Sequence, residues 1–283
     1  MNIVVCVKQV PDTSEVKIDP VTNNLVREGI PSIMNPYDVN AIEEALKIRD
    51  TEGGSVAVVS MGPPQATEVL QYALDMGADR AVLLSDRAVA GSDTLATGYA
   101  LSILVNSLSP DLVLCGSEAI DGCTGQVGPA IAENLGFPQL TYVNRIIKVR
   151  GKEIEVSREV KEVYELLSCR LPAVVCILKG INEPRDPVPG TKKPETITAA
   201  ALKLNESRIG MAGSPTRVAK IDMSGRRATS FVVIDSSLSA DERIFSMLNG
   251  GLTPKKIIMT RGTPAYLAEV IFKDEVFGSH LRN

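Results

Sequence analysis

The residues best placed to do chemistry in this chain lie between Asp111 and Pro129, in the run D-L-V-L-C-G-S-E-A-I-D-G-C-T-G-Q-V-G-P. Leu112, Val113, Leu114 and Cys115 form a short apolar run bounded by turn residues, the pattern of a buried parallel strand. Gly116 ends it, and a loop with Gly122, Gly125 and Gly128 leads into residues 130–135, which read as a helix. Pro129 suits the first turn of that helix, where a missing N–H costs nothing. Glycines let backbone approach backbone or ligand, and the N–H groups at a helix start favour an anion such as a phosphate. The spacing is neither a Walker A loop nor the G-x-G-x-x-G dinucleotide fingerprint. By itself it admits an ordinary strand-to-helix turn as readily as a phosphate cradle.

Other chemistries find little support. The single histidine, His280, lies near the C-terminus, which leaves no His-based acid–base pair or triad in the main body and no catalytic side chain to nominate. The five cysteines (Cys6, Cys115, Cys123, Cys169, Cys176) are scattered without a C-x-x-C, so they read as free thiols of a reducing, cytoplasmic protein with no metal site. A net charge of −4 offers no basic block for nucleic acid, and 4% aromatic content without Trp offers little for base stacking. No run reaches the length of a membrane span, and Met1-Asn2-Ile3-Val4 opens a strand rather than a signal peptide.

The elements that must position the glycine loop follow from periodicity. Residues 3–7 are a continuous apolar strand, and residues 16–27 alternate about Asn23-Asn24 as a small hairpin. Met34-Asn35-Pro36-Tyr37-Asp38 precedes an amphipathic helix with Ala41, Ile42, Ala45, Leu46 and Ile48 on one side. Strands are expected over 55–60 and 81–84, with a helix over 66–76 between them that Gly77 caps. A loop over 85–93 and a helix over 94–108 then lead to the Leu112 strand. Alternation at this spacing means βαβ units, right-handed crossovers and a parallel sheet covered on both faces. Ligands of such sheets sit outside the carboxyl ends of the strands, so the loops after Val7, Ser60, Leu84 and Cys115 should share one edge. That adds Met61 and Gly62 to the candidate binding residues.

Beyond the helix the alternation weakens. Residues 145–149, 153–160 and 163–167 look like antiparallel strands, and 173–178 returns to a buried strand. Residues 182–190 are proline-rich and cannot be core helix or sheet. From there to about Arg227 the chain reads as an extended arm that buries too little apolar surface to order itself without a partner. Residues 231–234, 240–248, 255–259 and 264–272 again look strand- and helix-like. The expected division is an α/β nucleotide-binding domain over 1–190 and a C-terminal arm and tail over 191–283.

Together, several stretches resemble the β subunit of electron-transfer flavoproteins: Val5-Cys6-Val7-Lys8-Gln9-Val10-Pro11-Asp12, Met34-Asn35-Pro36-Tyr37-Asp38, Met76-Gly77-Ala78-Asp79-Arg80, Ala119-Ile120-Asp121-Gly122 through Gln126-Val127-Gly128-Pro129, and Asn182-Glu183-Pro184-Arg185. The resemblance implies a Rossmann-like parallel sheet of the adenine-nucleotide α-hydrolase-like kind, with an antiparallel addition and an extended C-terminal arm. It also implies a heterodimer whose α subunit carries a redox FAD and is contacted by the C-terminal arm and tail over 191–283. One subclass holds AMP in its β subunit and serves acyl-CoA dehydrogenases. The electron-bifurcating subclass holds a second FAD there, which takes a hydride from NADH and passes electrons to the α-subunit flavin and to a low-potential carrier, ferredoxin or flavodoxin.

Two features of the resemblance favour FAD. Residues 85–97 are similar to the loop and helix start that the bifurcating group places beside its β flavin, and Val127 stands where the AMP group carries a hydroxyl residue. A valine would leave a terminal phosphate short of a partner worth about 1 kcal/mol. The family's pattern implies that the loop from Asp121 to Gly128, with Gly122, Cys123, Gly125 and Val127, presents backbone N–H groups to the pyrophosphate with Thr124 and Gln126 as side-chain donors, and that Gly116, Ala119 and Pro129 are further cofactor-binding residues. It also implies that Cys6 and Val7 line the adenine through their backbone. Asn35 and Asp38 follow, with a helix N-cap as the alternative for Asp38. Asp86, Arg87 and Ala88 would lie over the flavin, where a guanidinium stabilises an anionic reduced ring, and Gly91, Asp93 and Thr94 open the next helix. A reading of another class stays open: a universal-stress-type nucleotide-binding regulatory module that needs no α partner.

Overall fold

The computed structural model describes residues 1–12, 17–18, 25–26, 31–161 and 163–216, with residues 239, 241 and 243 beyond them. Contacts divide the chain into Met1–Ile221 and Asp222–Asn283, so the elements expected over 231–272 fall outside the described residues save for 241 and 243. The strands are β1 (Asn2–Cys6), β2 (Gln9–Pro11), β3 (Lys17–Ile18), β4 (Leu25–Val26), β5 (Ser32–Met34), β6 (Ser55–Met61), β7 (Arg80–Leu84), β8 (Leu112–Gly116), β9 (Gln139–Arg150), β10 (Glu153–Val160), β11 (Val163–Arg170), β12 (Ala173–Ile177) and β13 (Glu195–Ile197). The helices are α1 (Pro36–Glu52), α2 (Thr67–Asp75), α3 (Thr94–Ser107) and α4 (Val127–Leu135). β3 and β4 pair as the expected hairpin.

One sheet in the order β11-β10-β9-β12-β8-β1-β6-β7-β13 forms the body. It is parallel from β9 to β13 and antiparallel from β9 to β11. Val56, Val58, Leu112, Leu114, Val175 and Ile177 face α1 and α2, while Val4, Val59, Val82, Val113 and Val174 face α3 and α4. The parallel strands β1, β6, β7, β8 and β12 are buried on both sides, which is why they read as apolar runs, whereas the edge strand β13 is mostly exposed and polar.

β9 starts six residues before its expected start because it serves both halves of the sheet. Its first residues run parallel to β12, and its remainder pairs antiparallel with β10. Between them Tyr142 takes φ +57° at a register shift, a bulge that bends the strand from one partner to the other. Such a residue leaves no alternation for a sequence to show.

α1 buries the expected Ala41, Ile42, Ala45, Leu46 and Ile48, but also Asn40, Glu43 and Glu44. The proline-rich segment covers that side. Asn182 donates its amide to Glu44 at 2.8 Å and to the Asn40 carbonyl at 2.9 Å, and Arg185 Nε donates to Glu43 at 2.9 Å. The stretch after it departs from the expected extended arm. β13 adds to the sheet beside β7, and Ala199, Leu204 and Ile209 bury themselves against the α3 face. A few apolar residues suffice because neighbouring side chains take up the segment's amides.

α3 and α4 approach closely at Gly98, where a Cβ would press into the Ala130 methyl. This contact sets the two helix N-termini side by side at the carboxyl edge of the sheet. Gly98→Val should therefore cost about 1–3 kcal/mol by overpacking. The expected result is a lower urea midpoint at unchanged slope; an unmoved midpoint would show that the helices are not locked there.

Candidate functional site

Strand order places the site. From β1 the chain moves through β6 and β7 on one side, then returns to insert β8 on the other. The gap between the carboxyl ends of β1 and β8 is thus the topological switch point, where open α/β sheets bind ligands. Cys6 ends β1 and Val7 follows it, both with buried side chains, so their backbone is what faces the edge.

Asp38, in the first turn of α1, reaches into this gap. Its carboxylate accepts the Lys8 amide at 2.8 Å and the Gly116 amide at 3.1 Å, bonding the ends of both strands. It is therefore a strand tie, and it caps no helix: α1 has Asn35 at its N-cap with no side-chain cap bond. Asn35 does the same for the loop, donating to the Glu118 carbonyl at 2.8 Å and accepting from the Ile120 amide at 3.2 Å. Gly116 is a glycine because a Cβ there would strike the Asp38 carboxylate.

The remaining loop residues divide by task. A Cβ on Gly128 would meet the Cys176 sulfur, so this glycine seats α4 low on the sheet. Gly125 takes φ +61°, and Cys123 takes φ +49°. A Cβ on Gly122 would meet open space. Asp121, Gly122, Cys123, Thr124 and Gln126 are exposed, while Ala119, Val127 and Pro129 are half-buried and Val127 packs toward the core. No side chain caps α4, which leaves the amides of Val127 and Gly128 in its first turn without an intrahelical acceptor. Thr94 donates to Gln126 Oε1 at 2.7 Å and so joins the start of α3 to this loop.

Charges at the edge are paired off. Lys8 Nζ binds Asp121 at 2.7 Å, and Glu118 accepts the Tyr37 hydroxyl at 3.1 Å, which turns its carboxylate toward α1. Burial and that hydrogen bond push the Tyr37 phenol up. The buried Cys115 thiol is pushed well up by its hydrogen bond with Cys6 and by burial. Met61 ends β6 and Gly62 follows it, its amide donating to the Leu84 carbonyl at 3.1 Å. Asp86 caps a short turn, and amides from Ala88 and Ala199 hold its carboxyl below the usual range. Burial raises the Asp93 carboxyl, but amides from Ala96 and Thr216 outweigh it. Arg87, Ala88 and Gly91 are exposed.

Lys8, Tyr37, Glu118, Ser60 and Ser117 were not nominated from sequence. The Ser60 and Ser117 hydroxyls are buried with no hydrogen-bond partner among the described residues, at the ends of β6 and β8. Their sequence signal is position: Ser60 directly follows the apolar run 56–59, and Ser117 stands two residues beyond Cys115. Ser117, Gly125 and Pro129 line a cleft of about 290 Å³ that continues to Gln139, Thr141 and Tyr142. Orphan hydroxyls, an uncapped helix start and open space at Gly122 suit an anionic, polar ligand such as a nucleotide diphosphate.

Burial pushes the Asp38 carboxyl up to about 7 against the pull of the Lys8 and Gly116 amides. The folded protein then holds this proton more tightly than the unfolded chain does. The group's contribution to stability is full below its ordinary value of 3.8 and falls away as pH rises toward 7. Across that window wild type should lose on the order of 4 kcal/mol relative to Asp38→Asn. Urea unfolding at several pH values checks this, and parallel curves for the two proteins would refute it.

Residues 22–204, well over half of the chain, match the family described as electron transfer flavoprotein domain. The electron transfer flavoprotein subunit beta of Thermoanaerobacterium thermosaccharolyticum is 49% identical over 225 residues, covering 77% of this chain and 86% of that one. Protein FixA of Azorhizobium caulinodans is 44% identical over 254 residues, covering 85% and 90%. The caffeyl-CoA reductase-Etf complex subunit CarD of Acetobacterium woodii is 46% identical over 226 residues, covering 77% and 86%. With a doubly wound sheet, a glycine loop at its switch point and this extent of identity, the chain belongs to the electron-transfer flavoprotein family, as a β subunit.

Proposed function

We propose that this chain binds FAD along the carboxyl edge of its sheet and works in a heterodimer with an electron-transfer flavoprotein α subunit, in flavin-based electron bifurcation. The observation that carries the reading is the β8–α4 loop, where exposed donors, an uncapped helix start and Gly122 lie together at the switch point. FAD, when bound, supplies hydride acceptance from NADH and onward electron transfer to the α-subunit flavin and to ferredoxin or flavodoxin. The chain's own residues bind and orient. Amides from Gly122 to Gly128 hold the diphosphate, with Thr124 and Gln126 as donors; Asp38 and Asn35 hold the backbone that presents them. Lys8 neutralises Asp121 beside the anion, and the exposed Arg87 is the cation for the flavin end. No side chain acts as a nucleophile or base.

For the α subunit we assign the C-terminal arm and tail over 191–283, with the outer face of the antiparallel strands as a further candidate, where Tyr142, Ile147, Tyr164 and Leu166 are 41–70% exposed. An acyl-CoA dehydrogenase or similar enzyme would be the further partner. The second reading keeps the pocket and fills it with AMP, and Val127, packed toward the core with no hydroxyl to offer, tells against it.

Two measurements test the reading. Nucleotide released from the denatured native complex should be FAD alone, two per heterodimer; AMP with a single FAD would overturn bifurcation, and a nucleotide-free monomer would point to the stress-type module. Cys123, the exposed cysteine among those described, should react first with a maleimide, and added FAD should slow that reaction. Equal rates with and without nucleotide would remove the loop from the site.

A further inference from the structure

The loop between β7 and α3 carries two helix-capping carboxylates, and each uses one oxygen for its cap. Asp86 Oδ1 accepts the Ala88 amide at 3.0 Å, and Asp93 Oδ1 accepts the Leu95 and Ala96 amides at 3.0 and 3.1 Å. The second oxygen of each goes to a segment more than a hundred residues away. Asp86 Oδ2 accepts the Ala199 amide at 3.0 Å; Asp93 Oδ2 accepts the Thr216 amide at 3.0 Å and its hydroxyl at 2.8 Å. Between these anchors Ser92 Oγ accepts the Gly210 amide at 2.9 Å, and the buried Ser214 hydroxyl accepts the Asp93 amide at 2.8 Å and donates to the Gly210 carbonyl at 2.6 Å.

Packing closes the same contact. Gly210 takes φ +58°, and a Cβ there would run into the Ala88 carbonyl, so backbone lies on backbone. Ile209 is 2% exposed, and Arg208 stacks at 3.8 Å over the ring of Tyr99 on α3 while donating to Asn134 on α4 at 3.1 Å. Both carboxylates that cap the ends of the 86–93 loop are therefore shared with the 198–216 segment.

We propose that residues 198–216 are a clamp that sets the conformation of the 86–93 loop, with Asp86, Asp93, Ser92 and Gly210 as positioning residues. Docking of the clamp and ordering of the loop are one equilibrium. A ligand that contacts the loop holds the clamp down, and release of the clamp weakens that ligand by the same factor. Asp86 and Asp93 thus act on a bound nucleotide through the backbone they hold. The ligand half of this statement rests on the proposed FAD site, while the clamp itself does not.

The test uses the full-length chain in its native complex and reads amide hydrogen exchange over 85–97 and 198–216. Gly210→Ala, whose Cβ forces the clamp backbone away from the Ala88 carbonyl, should speed exchange about fivefold or more in both segments, well beyond the residues in direct contact with it, while β1, β6 and β8 stay unchanged. Asp93→Asn, which keeps its cap and loses the acceptor for Thr216, should speed exchange at 198–216 from the other side; it also serves if Gly210→Ala fails to fold. Loosening of the altered segment alone in either variant would overturn the proposal. With FAD as probe, dissociation from Gly210→Ala and from Asp93→Asn should quicken about fivefold while exchange over β1, β6 and β8 is unchanged, a change that a purely structural role would not produce. Coupled exchange with no effect of FAD would leave the clamp standing and defeat the nucleotide assignment instead.

Discussion

A buried carboxylate between two strand ends is the constraint on which the site depends. Asp38 gives up water to sit at the switch point, and the two amides it accepts come from residues more than a hundred positions apart, Lys8 and Gly116. Carboxylates are seldom buried this far without a cation, because desolvation penalises the charged form. Here the compensation is the Lys8 amide, the Asn35 side chain and the Gly116 amide, with a smaller pull from the Lys8 charge, and the result is a rigid seam. β1 and β8 cannot separate at their carboxyl ends without stranding the charge, and α1 cannot shift without pulling on both. Asn35, three residues earlier on the same turn, extends the seam to the loop beyond β8.

This seam explains how a glycine-rich loop can be orderly. Gly116 clears space for the carboxylate, and Gly128 lets α4 start hard against β12. Gly125 supplies a left-handed turn, and only Gly122 has room around it. Four glycines in one loop therefore do four different things, and three of them build the platform rather than touch a ligand. A binding loop needs this support because exposed amides bind well only when their backbone is already in place.

A second support comes from the far end of the described chain. The loop after β7 lies two strands from β1, too far for the Asp38 seam to control. It is ordered instead by α3, through Thr94 and Gln126, and by the returning segment that shares the carboxylates of Asp86 and Asp93. The same economy appears at α1, where Glu43 and Glu44, charged residues on a helix, are covered because Asn182 and Arg185 bring partners to them. Polar residues thus fasten the late segments to an apolar core that the early segments complete.

Much of the fold was legible in the chain itself. Unbroken apolar runs such as residues 55–60 and 112–115 mark strands buried on both faces, the spacing of Ala41, Ile42, Ala45 and Leu46 marks a helix, and their alternation marks a parallel sheet whose ligand edge is known in advance. These signals are local, since they depend on side-chain periods of two and 3.6 residues. The family's loop motif could be recognised for the same reason. Strand order, the bulge at Tyr142 that gives β9 two partners, and the division of labour among the glycines were not legible, because each depends on what lies opposite in space. Nor could the sequence tell a carboxylate that caps a helix from one that ties two strands, or show that residues after 190 would settle on their own sheet. Asp38 and Asp93 look alike in sequence, each beside a helix start; only the tertiary structure decides which amides come within reach, and it is those amides that assign the residue its work.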